Sequence, residues 1–189
     1  YFRIFVKNWY FVSNVMADFL NVDEALNELD LKEDMLAAEF GCGSAIFAIA
    51  LAKILKKGKV YALDIQEEKL SALKGKLSLE KINNVYAILC DLEAKRGSTL
   101  KDNSLNVILM PNLLFQSENK SAIIKESERT LKPGGQLLIV DWLKSNQFGP
   151  PKENLVNPQE VKKTAESLGF SFKKEFALGD YHYGLLFTK

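Results

Sequence analysis

Met35-Leu-Ala-Ala-Glu39-Phe-Gly41-Cys-Gly43-Ser-Ala45 is an apolar run that ends in an acid and opens into glycines. Such a run reads as a buried strand, and Gly41 and Gly43 give the chain a tight turn with no β-carbons to obstruct a ligand. A helix beginning near Ala45 would aim its N-terminal amides at that ligand. A second apolar run, Val60-Tyr-Ala-Leu, ends in Asp64. An acid at the tip of the strand that follows a glycine turn is placed to hold two ribose hydroxyls, so the pair describes a nucleoside pocket.

Outward from this pair, apolar runs alternate with helical patterns. Strands are expected at residues 35–40, 59–64, 85–90, 105–110 and 136–141, with helices at 45–55, 66–80 and 117–131. That alternation implies βαβ units around a parallel sheet. Several runs are apolar on both faces, as strands covered by helices on each side must be. The last third differs: Asn157 is a candidate N-cap, Pro158 suits the first helical position, and a helix is expected over 158–168. Two strand-like runs follow at 170–176 and 182–188 with no helix between them, so they should pair antiparallel as a hairpin.

At 189 residues the chain is expected to form one domain over 23–189, preceded by an aromatic amphipathic helix over 1–22. In that helix Phe2, Phe5, Trp9, Val12, Met16 and Phe19 recur at spacings of three and four. It is expected to pack on the domain. An interfacial membrane helix, a cleaved signal and a natural start at Met16 are the alternatives. No run reaches the roughly 18 apolar residues of a membrane span. Lys+Arg 25 against Asp+Glu 24 leaves a net charge of +1, which offers no general footprint for nucleic acid. Cys42 and Cys90 suggest a reducing, cytoplasmic compartment rather than a disulfide scaffold, and with one histidine, His182, no metal site is expected. The charged stretches at 67–69, 118–120 and 126–129 read as solvated helix faces.

A dinucleotide fingerprint needs G-x-G-x-x-G, and its third position here is Ile46. The pattern acid-x-G-x-G-x-G fits better, since Glu39, Gly41 and Gly43 match and only Ala45 departs. Asp91 closes the third strand in Leu89-Cys-Asp-Leu92, and Leu131-Lys-Pro-Gly-Gly leads through a turn into a buried strand. On these residues the sequence resembles the class I S-adenosylmethionine-dependent methyltransferases, from Leu31 to Asp141, and the terminal hairpin extends the likeness. Within them it looks loosely like small ubiquinone/menaquinone-biosynthesis enzymes. The resemblance implies an α/β, Rossmann-like seven-stranded sheet, mostly parallel with a C-terminal antiparallel hairpin and helices on both faces. It also implies S-adenosylmethionine as cofactor. Glu39, Gly41, Cys42 and Gly43 would line its methionine end, Asp64 would hold the ribose, and Ile65 would lie against the adenine. Asp91 and Leu92 would meet the adenine edge, and Asn112 would lie where backbone carbonyls meet the ammonium.

A sulfonium methyl is already activated, so orientation and water exclusion are the main requirements and no catalytic triad is expected. Acceptor-side candidates are Phe115, Gln116, Asp141, Trp142 and His182. The segment 143–157, with Phe148-Gly-Pro-Pro151, either closes over a substrate or is an ordinary proline-stiffened connection. A small-molecule or lipid-like acceptor is the leading expectation. Methylation of RNA or a protein side chain and a non-catalytic cofactor-binding subunit are the rivals. Ile46 and the terminal hairpin argue against a nicotinamide oxidoreductase.

Overall fold

The apolar runs expected as strands form the sheet, the run after Ala45 forms a helix, and burial of the central strands on both sides makes the sheet the middle layer of three. The computed structural model describes residues 20–145, 147 and 149–189. The expected N-terminal aromatic face, from Phe2 to Phe19, lies outside the described residues, as does Phe148. The strands are β1 (Leu36–Phe40), β2 (Lys59–Asp64), β3 (Val85–Leu89), β4 (Leu105–Pro111), β5 (Leu131–Trp142), β6 (Ser171–Leu178) and β7 (His182–Thr188). The α-helices are α1 (Val22–Asn27), α2 (Ile46–Ile54), α3 (Glu67–Glu80), α4 (Lys120–Thr130) and α5 (Pro158–Ser167).

The sheet order is β3-β2-β1-β4-β5-β7-β6. The first five are parallel, whereas β7 runs antiparallel to both β5 and β6. This is the seven-stranded sheet with terminal hairpin that the sequence implies. One apolar cluster joins α1, α2 and α3 to one face through Ala37, Val60, Val107 and Leu138. The other joins α4 and α5 to the opposite face through Ile108, Leu137 and Phe187. From β1 the chain moves outward to β2 and β3, then returns to β4 on the other side. The direction of winding therefore reverses between β1 and β4, where helices on opposite faces diverge and a crevice opens at the carboxyl ends.

Two local expectations change. The Pro-Gly-Gly turn is not a separate turn: β5 begins at Leu131, and its register on β4 jumps from Leu105↔Leu131 to Val107↔Gln136. The extra residues form a bulge, with Gly134 at φ +75°, held because Gly134 N–H donates to the Lys189 carbonyl and Lys189 N–H to that of Gly135. The 126–129 stretch is also not a solvated face. Glu126 is 5% exposed and accepts hydrogen bonds from Ser98 N–H, Ser98 Oγ and the Arg129 guanidinium, which also reaches Asp102 and the Leu100 carbonyl. Burial alone would raise the Glu126 carboxyl, but the hydrogen bonds from Arg129 and Ser98 hold it below its ordinary value.

Removing Glu126 leaves the sheltered Arg129 charge only the half-exposed Asp102 as its anion and leaves the buried Ser98 N–H without its acceptor. Glu126→Ala is expected to lower the unfolding free energy by roughly 3–5 kcal/mol, read from the urea midpoint. A loss under about 1 kcal/mol would mean the cluster behaves as an exposed ion pair.

Candidate functional site

The crevice is built around a turn whose backbone conformation is unusual at alternate residues. Gly41 has φ +70°, Gly43 φ +46° and Ala45 φ +58°. A left-handed alanine costs about 1–2 kcal/mol relative to its ordinary conformation, so the departure from glycine at position 45 is borne as strain. Gly41 is required for a second reason: a β-carbon there would lie 2.6 Å from Leu113 Cδ1. Main-chain bonds hold the turn, with Cys42 N–H donating to the Leu63 carbonyl at 2.8 Å and Lys76 Nζ to the Ser44 carbonyl at 2.9 Å.

Two carboxylates complete that scaffold. Asp64, at the end of β2, accepts from Gly43 N–H at 2.8 Å through Oδ2 and from Gln66 N–H at 2.9 Å through Oδ1. Each carboxylate oxygen has a second acceptor position, so the group can brace the turn and still receive hydroxyls. Glu39 is 1% exposed and accepts from Ala48 N–H at 2.8 Å, capping α2 where the N-cap residue Ala45 has no side chain to do so. Burial pushes the Glu39 carboxyl up to about 8 against the Ala48 hydrogen bond, and nearby Asp64 pushes the same way. A cation beside Glu39 would favour its ionised form.

The crevice has two lobes that share Gly41, Gly43 and Gln116 as wall. One, of about 490 Å³, is lined by Asp64, Ile65, Asp91 and Leu92 together with Gln66, Lys69 and Cys90. Ile65 is 65% exposed and offers an apolar surface beside the acids. Asp91 accepts from Glu93 N–H at 2.9 Å, and Glu93 in turn accepts from the amides of Glu118 and Asn119, tying the approach to α4 across this lobe. The other lobe, of about 440 Å³, brings Glu39, Cys42 and Asn112 together with Phe47, Phe115 and Trp142. Pro150 and Gly149 form its far wall, so the segment 143–157 does border the cavity. Gly149 approaches closely, since a β-carbon there would sit 2.9 Å from the Trp142 ring, and Ser145 Oγ donates to the Pro150 carbonyl at 2.7 Å.

Of the acceptor-side candidates, Phe115, Gln116 and Trp142 line this second lobe, and Asp141 and His182 do not. Asp141 is fully buried and accepts from Trp142 N–H at 2.8 Å and Phe115 N–H at 3.1 Å. It pins the short 3-10 turn Leu114–Gln116 to the end of β5, and burial raises it to about 6 against those amides. His182 is 1% exposed and lies behind Trp142, their ring centroids 4.2 Å apart. Sequence reasoning missed Gln66 and Lys69, which reach the Asp64 lobe from the start of α3. Their place two and five residues after Asp64, three apart at the start of a helix, was the available signal. It also missed Ile46 and Phe47 on α2 and Leu113 after β4. Among the described residues no group of three or more His, Cys, Asp or Glu is placed to hold a metal ion, and no helix is long and apolar enough to cross a membrane.

Known proteins share this fold. The family model for the methyltransferase domain matches residues 31–181. The demethylmenaquinone methyltransferase of Bacillus mycoides (strain KBAB4) is 27% identical over 130 residues, covering 67% of this chain and 52% of that protein. That of Bacillus subtilis (strain 168) is 26% identical over 132 residues, covering 67% and 54%. The chain thus spans about half the length of the curated relatives it matches. Among solved structures, a SAM dependent methyltransferase from Aquifex aeolicus superposes with a TM-score of 0.83 at 27% identity, covering 91% of each chain. Because the matched residues 31–181 run from before β1 to the start of the hairpin's last strand and contain the glycine turn and all the lining of both lobes except Leu20, the chain belongs to the methyltransferase domain family.

Proposed function

We propose that this domain binds S-adenosylmethionine and transfers its methyl group to a small-molecule or lipid-like acceptor by direct in-line displacement. One observation carries the reading: Glu39, Asp64 and Asp91 stand at the ends of three neighbouring strands, around a turn whose main chain is bare of side chains. The residues present fit the cofactor. Asp64 has acceptor positions left for a ribose diol, Ile65 and Leu92 offer apolar surface to an adenine, and Asp91 lies at its edge. Glu39 supplies an anion for the methionine end. When bound, the cofactor supplies a methyl group already activated by positive charge on sulfur.

The chain's own residues then orient the acceptor and exclude water. Phe47, Phe115, Trp142 and Pro150 give the second lobe an apolar lining suited to a flat or greasy acceptor. Asp141 holds the turn that carries Phe115 and Gln116, and His182 backs Trp142. Holding a nucleophile in line behind a carbon–sulfur bond can contribute about 7–11 kcal/mol. An open lobe of about 440 Å³ between Phe115 and Trp142 favours turnover over a non-catalytic pocket filled by those rings. The demethylmenaquinone methyltransferase relatives support a small acceptor, and the two free cysteines support a reducing, cytoplasmic setting.

S-adenosylhomocysteine at 100 times its dissociation constant is expected to add about 2.7 kcal/mol, a rise in melting temperature of roughly 5–10 °C, while NAD gives none. No rise with S-adenosylhomocysteine would remove the cofactor assignment. Asp64→Ala should abolish most of that rise, and an unchanged rise would show that the ribose lies elsewhere.

Glu39 adds a pH dependence with a definite sign. Below about 8 the free protein holds this carboxyl protonated, and a ligand ammonium favours the ionised form. Binding therefore releases a proton, and S-adenosylhomocysteine affinity should climb by up to roughly tenfold per pH unit from 6 to 8, then level off. Calorimetric titrations should show that slope vanish in Glu39→Gln; a slope of equal size in the variant would assign it to another group.

A further inference from the structure

We propose that the free edge of β3 is an interface at which two copies of this chain pair antiparallel, joining their sheets across a two-fold axis at Ala87. β3 forms one edge of the sheet and β6 the other. The two edges are built differently. β6 carries Lys173, Lys174 and Glu175, all exposed, and its register on β7 shifts between Phe172 and Lys174. Charges and a bulge are what keep an edge from adding another strand. β3 has neither. It reads Val85-Tyr-Ala-Ile-Leu89, its register on β2 is unbroken, and Tyr86 and Leu89 are 44% and 55% exposed. The link from β3 to β4 holds no helix that could cover this edge.

The main-chain groups left over on β3 say what fits there. Val60 N–H donates to the Asn84 carbonyl and Cys90 N–H to the Asp64 carbonyl, so the even-numbered residues turn their main chain toward β2. Val85, Ala87 and Leu89 turn theirs outward, and among the described residues nothing bonds them. Alternate residues that each offer one donor and one acceptor are complementary to a second copy of themselves. When Ala87 faces Ala87 of the second copy, Val85 faces Leu89 of the second copy, and each such pair exchanges two hydrogen bonds. Every outward group is then used. Moving the axis by one residue would push Leu89 or Val85 past the end of the opposing strand. The same register sets Tyr86 against Ile88 of the second copy, an aromatic against a β-branched side chain. It also lays the loop that enters β3, with exposed Lys81, beside the loop that leaves it, with Asp91 and Glu93. Opposite charges therefore meet at both ends of the seam.

Sedimentation velocity on the whole chain from about 5 to 200 µM tests the proposal, because a seam this short makes a weak interface. The wild type is expected to pass from monomer to dimer across that range, and Leu89→Lys, which sets a cation on the seam, to stay monomeric. Amide hydrogen exchange read by NMR supplies the register. Between the dilute and concentrated samples, the Val85, Ala87 and Leu89 amides should slow at least about threefold more than those of Tyr86 and Ile88, which already bond to β2. A monomer at every concentration would overturn the proposal. So would a dimer in which those three amides exchange as they do in the monomer, or one that Leu89→Lys leaves intact. Slow exchange of the same amides at every concentration would overturn it as well, by showing the edge to be covered within a single chain. Should Leu89→Lys not fold, the exchange pattern of the wild type decides alone.

Discussion

The turn between β1 and α2 leaves Gly41 and Gly43 bare on the cavity side, while Cys42 and Ala45 pack into the core beneath it. Polar bonds from either side complete its support. Asp64 accepts the Gly43 amide, Glu39 accepts the Ala48 amide, and the Leu63 carbonyl receives the amide of Cys42. Both lobes use Gly41 and Gly43 as wall, so the shape of the whole crevice follows from these few bonds. The constraint is severe enough that Ala45 is kept left-handed without being glycine. Rigid, pre-aligned amides and carboxylates are also what a ligand-binding site requires, since ordering them at the moment of binding would weaken affinity.

Much of the fold was legible because punctuation and periodicity agreed along the chain. β2 and β7 begin and end where the sequence places them, since Gly58 and Asp64 bracket one and the short loop after Leu178 precedes the other. What could not be read locally depended on distant partners. Lys-Glu-Ser-Glu-Arg looks like a wet helix face in isolation. Glu126 and Arg129 are sheltered because Ser98, 28 residues before Glu126, and Asp102 arrive from the loop before β4. The Pro-Gly-Gly segment resembles a free turn until Lys189 supplies the main-chain bonds that make it part of a strand.

The site followed the same division. Acids at strand tips pointed to one edge of the sheet, and Asp64 and Asp91 do line one lobe there, because strand ends in this topology converge on that edge. The identical argument promoted Asp141 and His182, which end β5 and begin β7 at that edge. Neighbouring structure decides otherwise: the Leu114–Gln116 turn covers Asp141, and the Trp142 ring lies over His182. Both support the cavity wall from behind. Position on an edge is encoded in sequence pattern, whereas access to the cavity depends on what packs over that position.

The capping bond between Glu39 and Ala48 has a consequence for how the domain senses its contents. A hydrogen bond to an ionised carboxylate is about twice as strong as one to its neutral form. Any cation that enters beside Glu39 thus tightens the first turn of α2, which packs against α1 and the sheet through Phe47 and Leu51. The Ala48 amide hydrogen becomes a gauge of occupancy, exchanging with solvent more slowly when the lobe is filled by a positively charged guest.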